Sequence, residues 1–269
     1  MSIRSAPVAT QPDIAGHVPE PLTAGFNPGR PLHRDWRAAW IAVRNLLRDP
    51  EDTEQVFRIM RALNADTSHR NYTRLLRSAE GGRIAFRHVE LADRLGDRGW
   101  IDAFPAGSVG AAYRAFLDRT GFSAQGLADI SYAENAEFRD SEHPYAWFGR
   151  RERDVHDIWH VLTGYTAEEP LGEACLVAFS YAQTGGLGWG AIGAMAALKS
   201  LKITRDTRFA RAVWEGYRNG RRAAWLHGED YEALLAEPLD AARRRLGIVE
   251  PVAYQRAQAW LRGRGLSGI

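Results

Sequence analysis

Apolar residues recur along this chain at helical spacing, and nowhere do they alternate convincingly as a half-buried strand requires. Trp36, Trp40, Val43 and Leu47 mark a first amphipathic helix ending at Asp49-Pro50, and Val56, Phe57, Met60 and Leu63 mark a second. A weaker pattern runs from Arg83 to Leu95. The turn from Phe104 to Ser108 leads into a helix with Val109, Ala112, Tyr113, Phe116 and Leu117 inside, closed by Gly121. A polar connection from Ser123 to Ser141 precedes a long helix whose stripe is Val155, Ile158, Trp159 and Leu162. Phe209, Val213, Trp214 and Tyr217 give another helix, stopped at Asn219-Gly220, and Tyr231, Leu234, Leu235, Leu239 and Leu246 give one more. With no strand pattern and no internal repeat, the chain reads as all-α, a single multi-helix, bundle-like domain over residues 31–248. A Pro- and Ala-rich mobile tail is expected over residues 1–30. A short C-terminal extension over residues 249–269 is built around Ala253, Ala257, Trp260 and Leu261.

One stretch departs from amphipathic spacing. Ala174 to Leu198 carries no charge over 25 residues, a length that permits a membrane span. Gln183 and Thr184, followed by Gly185, Gly186, Gly188, Gly190 and Gly193, read better as two buried helices joined by a loose turn. The small residues either leave room on the inner face for an apolar ligand channel or allow close helix packing.

Composition narrows the field. A 269-residue chain that is 45% hydrophobic and 25% charged suits one large globular domain or two small ones. A net charge of +2 is too small for a nucleic-acid footprint, so no nucleic-acid partner is expected. The single Cys175 excludes an internal disulfide and lies in an apolar helix, as a buried reduced thiol does. The N-terminal residues lack a signal-peptide core, and a cytoplasmic protein is the expectation.

The candidate chemistry lies between Arg151 and Glu173. His156 and His160 are four apart on the motif helix, so their imidazoles stack on one face and can converge on one ion. Gly164 supplies a left-handed stop, Thr166 and Glu169 have capping-box spacing, and Pro170 fits a first helical turn. Glu173 then sits one turn into a second helix. Folded back antiparallel, it can bring a carboxylate to the two nitrogens and leave positions open, as a catalytic metal site does. Asp157 points about 100° away from His156. Three roles stay open for it: ligation through water or a bent side chain, orientation of a ligating histidine, or action as a base. Arg221 and Arg222, at the head of a helix, can hold a carboxylate or phosphate by forked hydrogen bonds. A zinc-protease-like hydrolase ranks low, because Asp is shorter than the Glu of that motif and no strand offers a peptide-binding edge.

Several blocks carry a resemblance to a known family: DPEDTEQVFRIMRALN from Asp49, FPAGSVGAAYRAFL from Phe104, RERDVHDIWH from Arg151, PLGEA from Pro170, and NGRRA and ARRRLGI toward the end. The chain resembles the ubiquinone (coenzyme Q) biosynthesis proteins called Coq number four. Their signature is H-D-x-x-H with a Glu after eleven intervening residues, where this chain has twelve between His160 and Glu173. The resemblance implies a helical protein, often a homodimer, peripheral to the membrane where ubiquinone is made, which in a bacterium is the inner membrane. It implies action on ring carbon one of a polyprenylated 4-hydroxybenzoate, removing the carboxylate, by simple or oxidative decarboxylation. It also implies a divalent metal at His156, Asp157, His160 and Glu173, with zinc ranked first and iron, cobalt or manganese as alternatives. On that reading Arg153 or Arg222 meets the substrate carboxylate, and Asp157 orients a histidine or moves a proton. The other reading is a non-catalytic, prenyl-lipid-binding scaffold that organises other ubiquinone biosynthesis proteins.

Overall fold

The structure, a computed structural model of the chain, describes residues 33–48, 52–122 and 143–266. The tail expected over residues 1–30 and the connection expected from Ser123 to Ser141 lie outside the described residues. The described residues form helices: α1 (Trp36–Arg48), α2 (Thr53–Asn64), α3 (Thr67–Leu75), α4 (Ala79–Arg87), α5 (Leu91–Gly96), α6 (Arg98–Asp102) and α7 (Val109–Thr120). There follow α8 (Pro144–Asp154), α9 (His156–Thr163), α10 (Pro170–Thr184), α11 (Leu187–Thr204) and α12 (Arg208–Arg222). A 3-10 turn at Leu226–Gly228 precedes α13 (Tyr231–Ala236), α14 (Leu239–Arg245) and α15 (Val252–Arg262). The long motif helix read from the sequence is two helices, α8 and α9, with Val155 between them.

Local chemistry accounts for the boundaries around the motif. Ser108 caps α7 by accepting from the Ala111 amide at 3.0 Å, and Gly121 ends it at φ 68°. Gly164 ends α9 at φ 77°, and Gly185 ends α10 at φ 71°. The expected capping box is replaced by a different arrangement. Glu169 is the residue before the helix, Pro170 opens it, and the Thr166 hydroxyl donates to the Glu169 carboxylate at 3.1 Å.

Helix α10 lies at the centre of the larger core, burying Leu171, Cys175, Leu176 and Phe179 with Trp159, Leu162, Phe209, Tyr231 and Leu235. Burial pushes the Cys175 thiol pKa well up, in keeping with an inert thiol. Glycine sets the crossing of α10 and α12: a Cβ at Gly216 would lie 2.3 Å from the Cys175 carbonyl oxygen, and one at Gly220 would lie 2.6 Å from that of Phe179. The segment read as an extension past residue 248 contributes Tyr254, Ala257 and Leu261 to the same core. A second cluster joins α1, α2 and α11 through Ala39, Ala42, Ile59, Ala62 and Leu63.

The uncharged stretch forms most of α10 and most of α11, joined at Gly185-Gly186 as expected. Among the described residues no helix is long and apolar enough to cross a membrane. At three of the glycines the neighbouring space is already filled. A Cβ would meet Asn64 Oδ1 at 2.7 Å from Gly186, Met60 Cα at 2.7 Å from Gly188 and the Tyr181 ring at 3.2 Å from Gly190, so these positions serve close packing.

A polar cluster lies beneath α9. The Glu152 carboxylate accepts from the Ser68 hydroxyl and from Asn71 Nδ2, and its Oε1 is 3.8 Å from His227 Nε2. His227 packs among Trp159, Phe148 and Trp225, and among the described residues neither ring nitrogen is hydrogen-bonded. Burial pushes the Glu152 carboxyl up to about 7 and, with Arg151 and Arg74 nearby, pushes His227 down to about 3.

Gly216→Ala lowers stability by about 1–3 kcal/mol in urea denaturation, because its Cβ collides with backbone. Gly82→Ala, in α4 with nothing within 4 Å of the added carbon, instead raises it by about 0.5–1 kcal/mol. Folded Glu152 keeps a proton that the unfolded chain releases near 4.5, so its contribution is complete below that pH and is lost as pH rises through about 7. Glu152→Gln should therefore make the change in urea midpoint from about pH 5 to about pH 8 more positive than in the parent, since the rise contributed by His227, neutral in the fold, is then no longer opposed by Glu152. An unchanged slope would refute this account of Glu152.

Candidate metal centre

The turn between α9 and α10 reverses the chain and brings the first turn of α10 against the histidine face of α9. His156, His160 and Glu173 meet there, with one potential ligand atom from each lying within 4.8 Å of the others. Glu173 Oε1 is 3.3 Å from His160 Nε2, and Glu173 Oε2 is 3.9 Å from His156 Nε2. The imidazole centroids are 4.9 Å apart. His160 is buried, whereas the Glu173 side chain is 40% exposed, so the group opens to solvent on the carboxylate side.

The outer ring nitrogens decide what the inner ones can do. A carbonyl oxygen only accepts, so the 2.8 Å contact between His160 Nδ1 and the Tyr165 carbonyl places a proton on Nδ1. In the neutral ring, Nε2 then turns a lone pair toward the Glu173 carboxylate. It is buried, and apart from Glu173 Oε1 at 3.3 Å it meets no hydrogen-bonding group among the described residues. Two lone pairs at that separation repel unless a cation stands between them, either a proton or a metal ion. His156 repeats the pattern, its Nδ1 donating to Asp157 Oδ1 at 3.3 Å. Burial works against charge on Glu173, yet His160 and His156 outweigh it and hold the carboxyl below its usual range. Burial likewise opposes the imidazolium of His156, but Asp157 and then Glu173 hold it above its usual range. A nitrogen–nitrogen–oxygen donor set with one open side fits a divalent transition metal.

Aromatic rings flank the group. Phe116 of α7 lies near-parallel to His160, with centroids 6.0 Å apart, and Trp189 of α11 lies near-parallel to His156 at 6.3 Å. Neither ring was singled out for the site from sequence, because each arrives from a distant helix and carries no motif.

Other expected positions fall elsewhere. Asp157 is not in the three-residue group; helical geometry turns it to the far nitrogen of His156, a position that suits the orienting role. The Arg153 guanidinium pairs with Asp154 at 2.6 Å. Arg221 and Arg222 occupy the last turn of α12, not the head of a helix, and both are exposed. At that end they complement the helix dipole and do not form an anion-binding N-terminus.

Comparison with known proteins places these residues in context. The family described as "Coenzyme Q (ubiquinone) biosynthesis protein Coq4" matches residues 31–252. The bovine mitochondrial ubiquinone biosynthesis protein COQ4 homolog is 30% identical over 202 residues, 71% of each chain. A ubiquinone biosynthesis protein coq4 from Pyrenophora tritici-repentis is 31% identical over 183 residues, 66% of this chain and 58% of that one. In the zebrafish homolog the match spans 63% of the relative's length. The crystal structure of a Nostoc punctiforme protein named for ubiquinone biosynthesis superposes with a TM-score of 0.54 over 80% of this chain and 99% of that one. At 19% identity that likeness speaks for the fold.

The orienting role of Asp157 has a direct readout in metal-free protein. The His156 ring should titrate above the ordinary value of 6.5 in an NMR pH titration, and Asp157→Asn should move it downward. An unmoved His156 would mean that Asp157 does not hold it.

Proposed function

The chain belongs to the coenzyme Q (ubiquinone) biosynthesis protein family Coq4, and from that premise we propose that it acts in ubiquinone formation as a metal-dependent decarboxylase. Its substrate on this reading is a polyprenylated 4-hydroxybenzoate, with a divalent metal held by His156, His160 and Glu173. One observation carries the metal: the buried Nε2 of His160, its tautomer set by the Tyr165 carbonyl, faces only the Glu173 carboxylate among the described residues. The bound ion would supply Lewis acidity toward a substrate oxygen. Zinc, which has no redox activity, suits simple decarboxylation, while replacement of the carboxylate by hydroxyl requires an oxidant such as oxygen, which an iron-like ion would serve better.

The chain's own residues organise the site. The Tyr165 carbonyl and the Asp157 carboxylate hold the Nδ1 protons of His160 and His156 and turn both Nε2 atoms inward. Phe116 and Trp189 offer flat apolar walls beside the two imidazoles for an aromatic ring. Loss of carbon dioxide leaves an electron pair on ring carbon one, which a proton must then take up.

A prenylated substrate resides in a membrane, and two helices carry exposed apolar residues beside basic ones. Helix α1 exposes Trp36, Trp40, Ile41 and Leu47 beside Arg37, Arg44 and Arg48, and α11 exposes Leu198 and Ile203 beside Lys199 and Lys202. Neither helix contains an acidic residue. An apolar and basic face of this kind suits peripheral attachment to an anionic membrane. The same face would serve a scaffold that presents prenyl lipids without reacting.

The test is carbon dioxide release from a short-chain 4-hydroxy-3-methoxy-5-prenylbenzoate by metal-reconstituted protein, with and without oxygen. Release should require metal and fall at least about 100-fold in His160→Ala and Glu173→Gln, both checked for retained helicity. No release with any divalent metal, while prenyl lipid still binds, would favour the scaffold.

A further inference from the structure

The turn that joins α9 to α10 is held from outside by a residue past the end of the family match. Tyr254, buried in α15, contacts this turn through Tyr165, Thr166 and Glu169. Its ring meets the Tyr165 ring edge-on, with centroids 5.2 Å apart and planes at 81°. Its hydroxyl accepts from the Thr166 amide at 3.1 Å and donates to the Glu169 carboxylate. Gln258, one turn further along α15, donates to the same carboxylate at 2.9 Å and to the Tyr254 hydroxyl at 3.1 Å. The start of α15 is itself anchored, since Glu215 of α12 accepts from the amides of Ala253 and Tyr254 at 2.8 and 3.2 Å.

Two backbone carbonyls of this turn bear on the inner donors of the metal group. The Tyr165 carbonyl sets the His160 tautomer. The Glu169 carbonyl accepts from the Glu173 amide at 3.2 Å, closing the first hydrogen-bonded turn of α10. Tyr254 therefore touches, or lies next to, the backbone that governs each.

We propose that Tyr254 is a positioning residue for the metal group, its hydroxyl tying the Thr166 amide to the Glu169 carboxylate so that His160 Nε2 and the Glu173 carboxylate converge. This rests on the metal reading given above. An outer-shell hydrogen bond of this kind acts on ligand orientation, and its loss typically weakens metal binding while the fold is kept.

Cobalt(II) titration of the full chain, followed by visible absorption, tests it. Tyr254→Phe keeps the ring against Tyr165 but loses the hydroxyl, and its cobalt affinity should fall about 10- to 100-fold with helicity preserved. Gln258→Leu, which removes one donor to Glu169 and leaves the ring in place, should show a smaller loss in the same direction. Leu261→Ala, buried in the same helix, should lower the melting temperature and leave cobalt affinity unchanged. Equal cobalt affinity in Tyr254→Phe and parent would overturn the positioning role alone, as would an equal loss in Leu261→Ala. A parent that binds no cobalt or zinc would overturn the metal reading and this role with it.

Discussion

Helix α10 has to be apolar almost all the way round and still deliver one carboxylate. Its middle is enclosed, with the backbones of Gly216 and Gly220 against its carbonyls on one side and α11 on another. An ionised group in that middle would lose its hydration without recompense. Glu173 escapes this by lying in the first turn, partly exposed and beside the positive end of the helix dipole. The candidate centre therefore sits where the central helix emerges from the core.

Helix α9 separates two histidine environments. On one face His156 and His160 are steered by oxygen acceptors on their outer nitrogens and face a carboxylate on their inner ones. On the other, Trp159 packs against His227, whose centroid lies 4.8 Å away and which burial keeps neutral. The same residue type serves as a candidate ligand on one side and as core on the other. The difference lies in the neighbours, since Glu152 stands too far from His227 Nε2 for a direct hydrogen bond.

Periodic and local features were legible in the sequence. The helices, the Gly164 stop, the His156–His160 pair and the placement of Glu173 in the next helix all follow from spacing over a few residues. What was not legible depends on contacts between distant segments. Asn219-Gly220 reads as a stop, yet α12 continues through it, because Gly220 is there to admit the Phe179 carbonyl. Arg221 and Arg222 moved from helix head to helix tail as a result. The glycine-rich run of α11 likewise reads equally as empty space or as contact, and only Met60, Asn64 and Tyr181 opposite it decide for contact. The acceptor that sets His160 is a backbone carbonyl, which no residue letter announces.

That carbonyl has a consequence for how the chain can drift. Every residue type supplies one, so the hydrogen bond to His160 does not depend on which side chain stands at position 165. It depends on the path of the turn, and so on Gly164, whose φ of 77° other residues rarely adopt. Selection for the His160 tautomer would act on the bend and leave the acceptor's own identity to the demands of packing. Relatives compared at the site residues alone would then look unconstrained at the atom that matters most to His160.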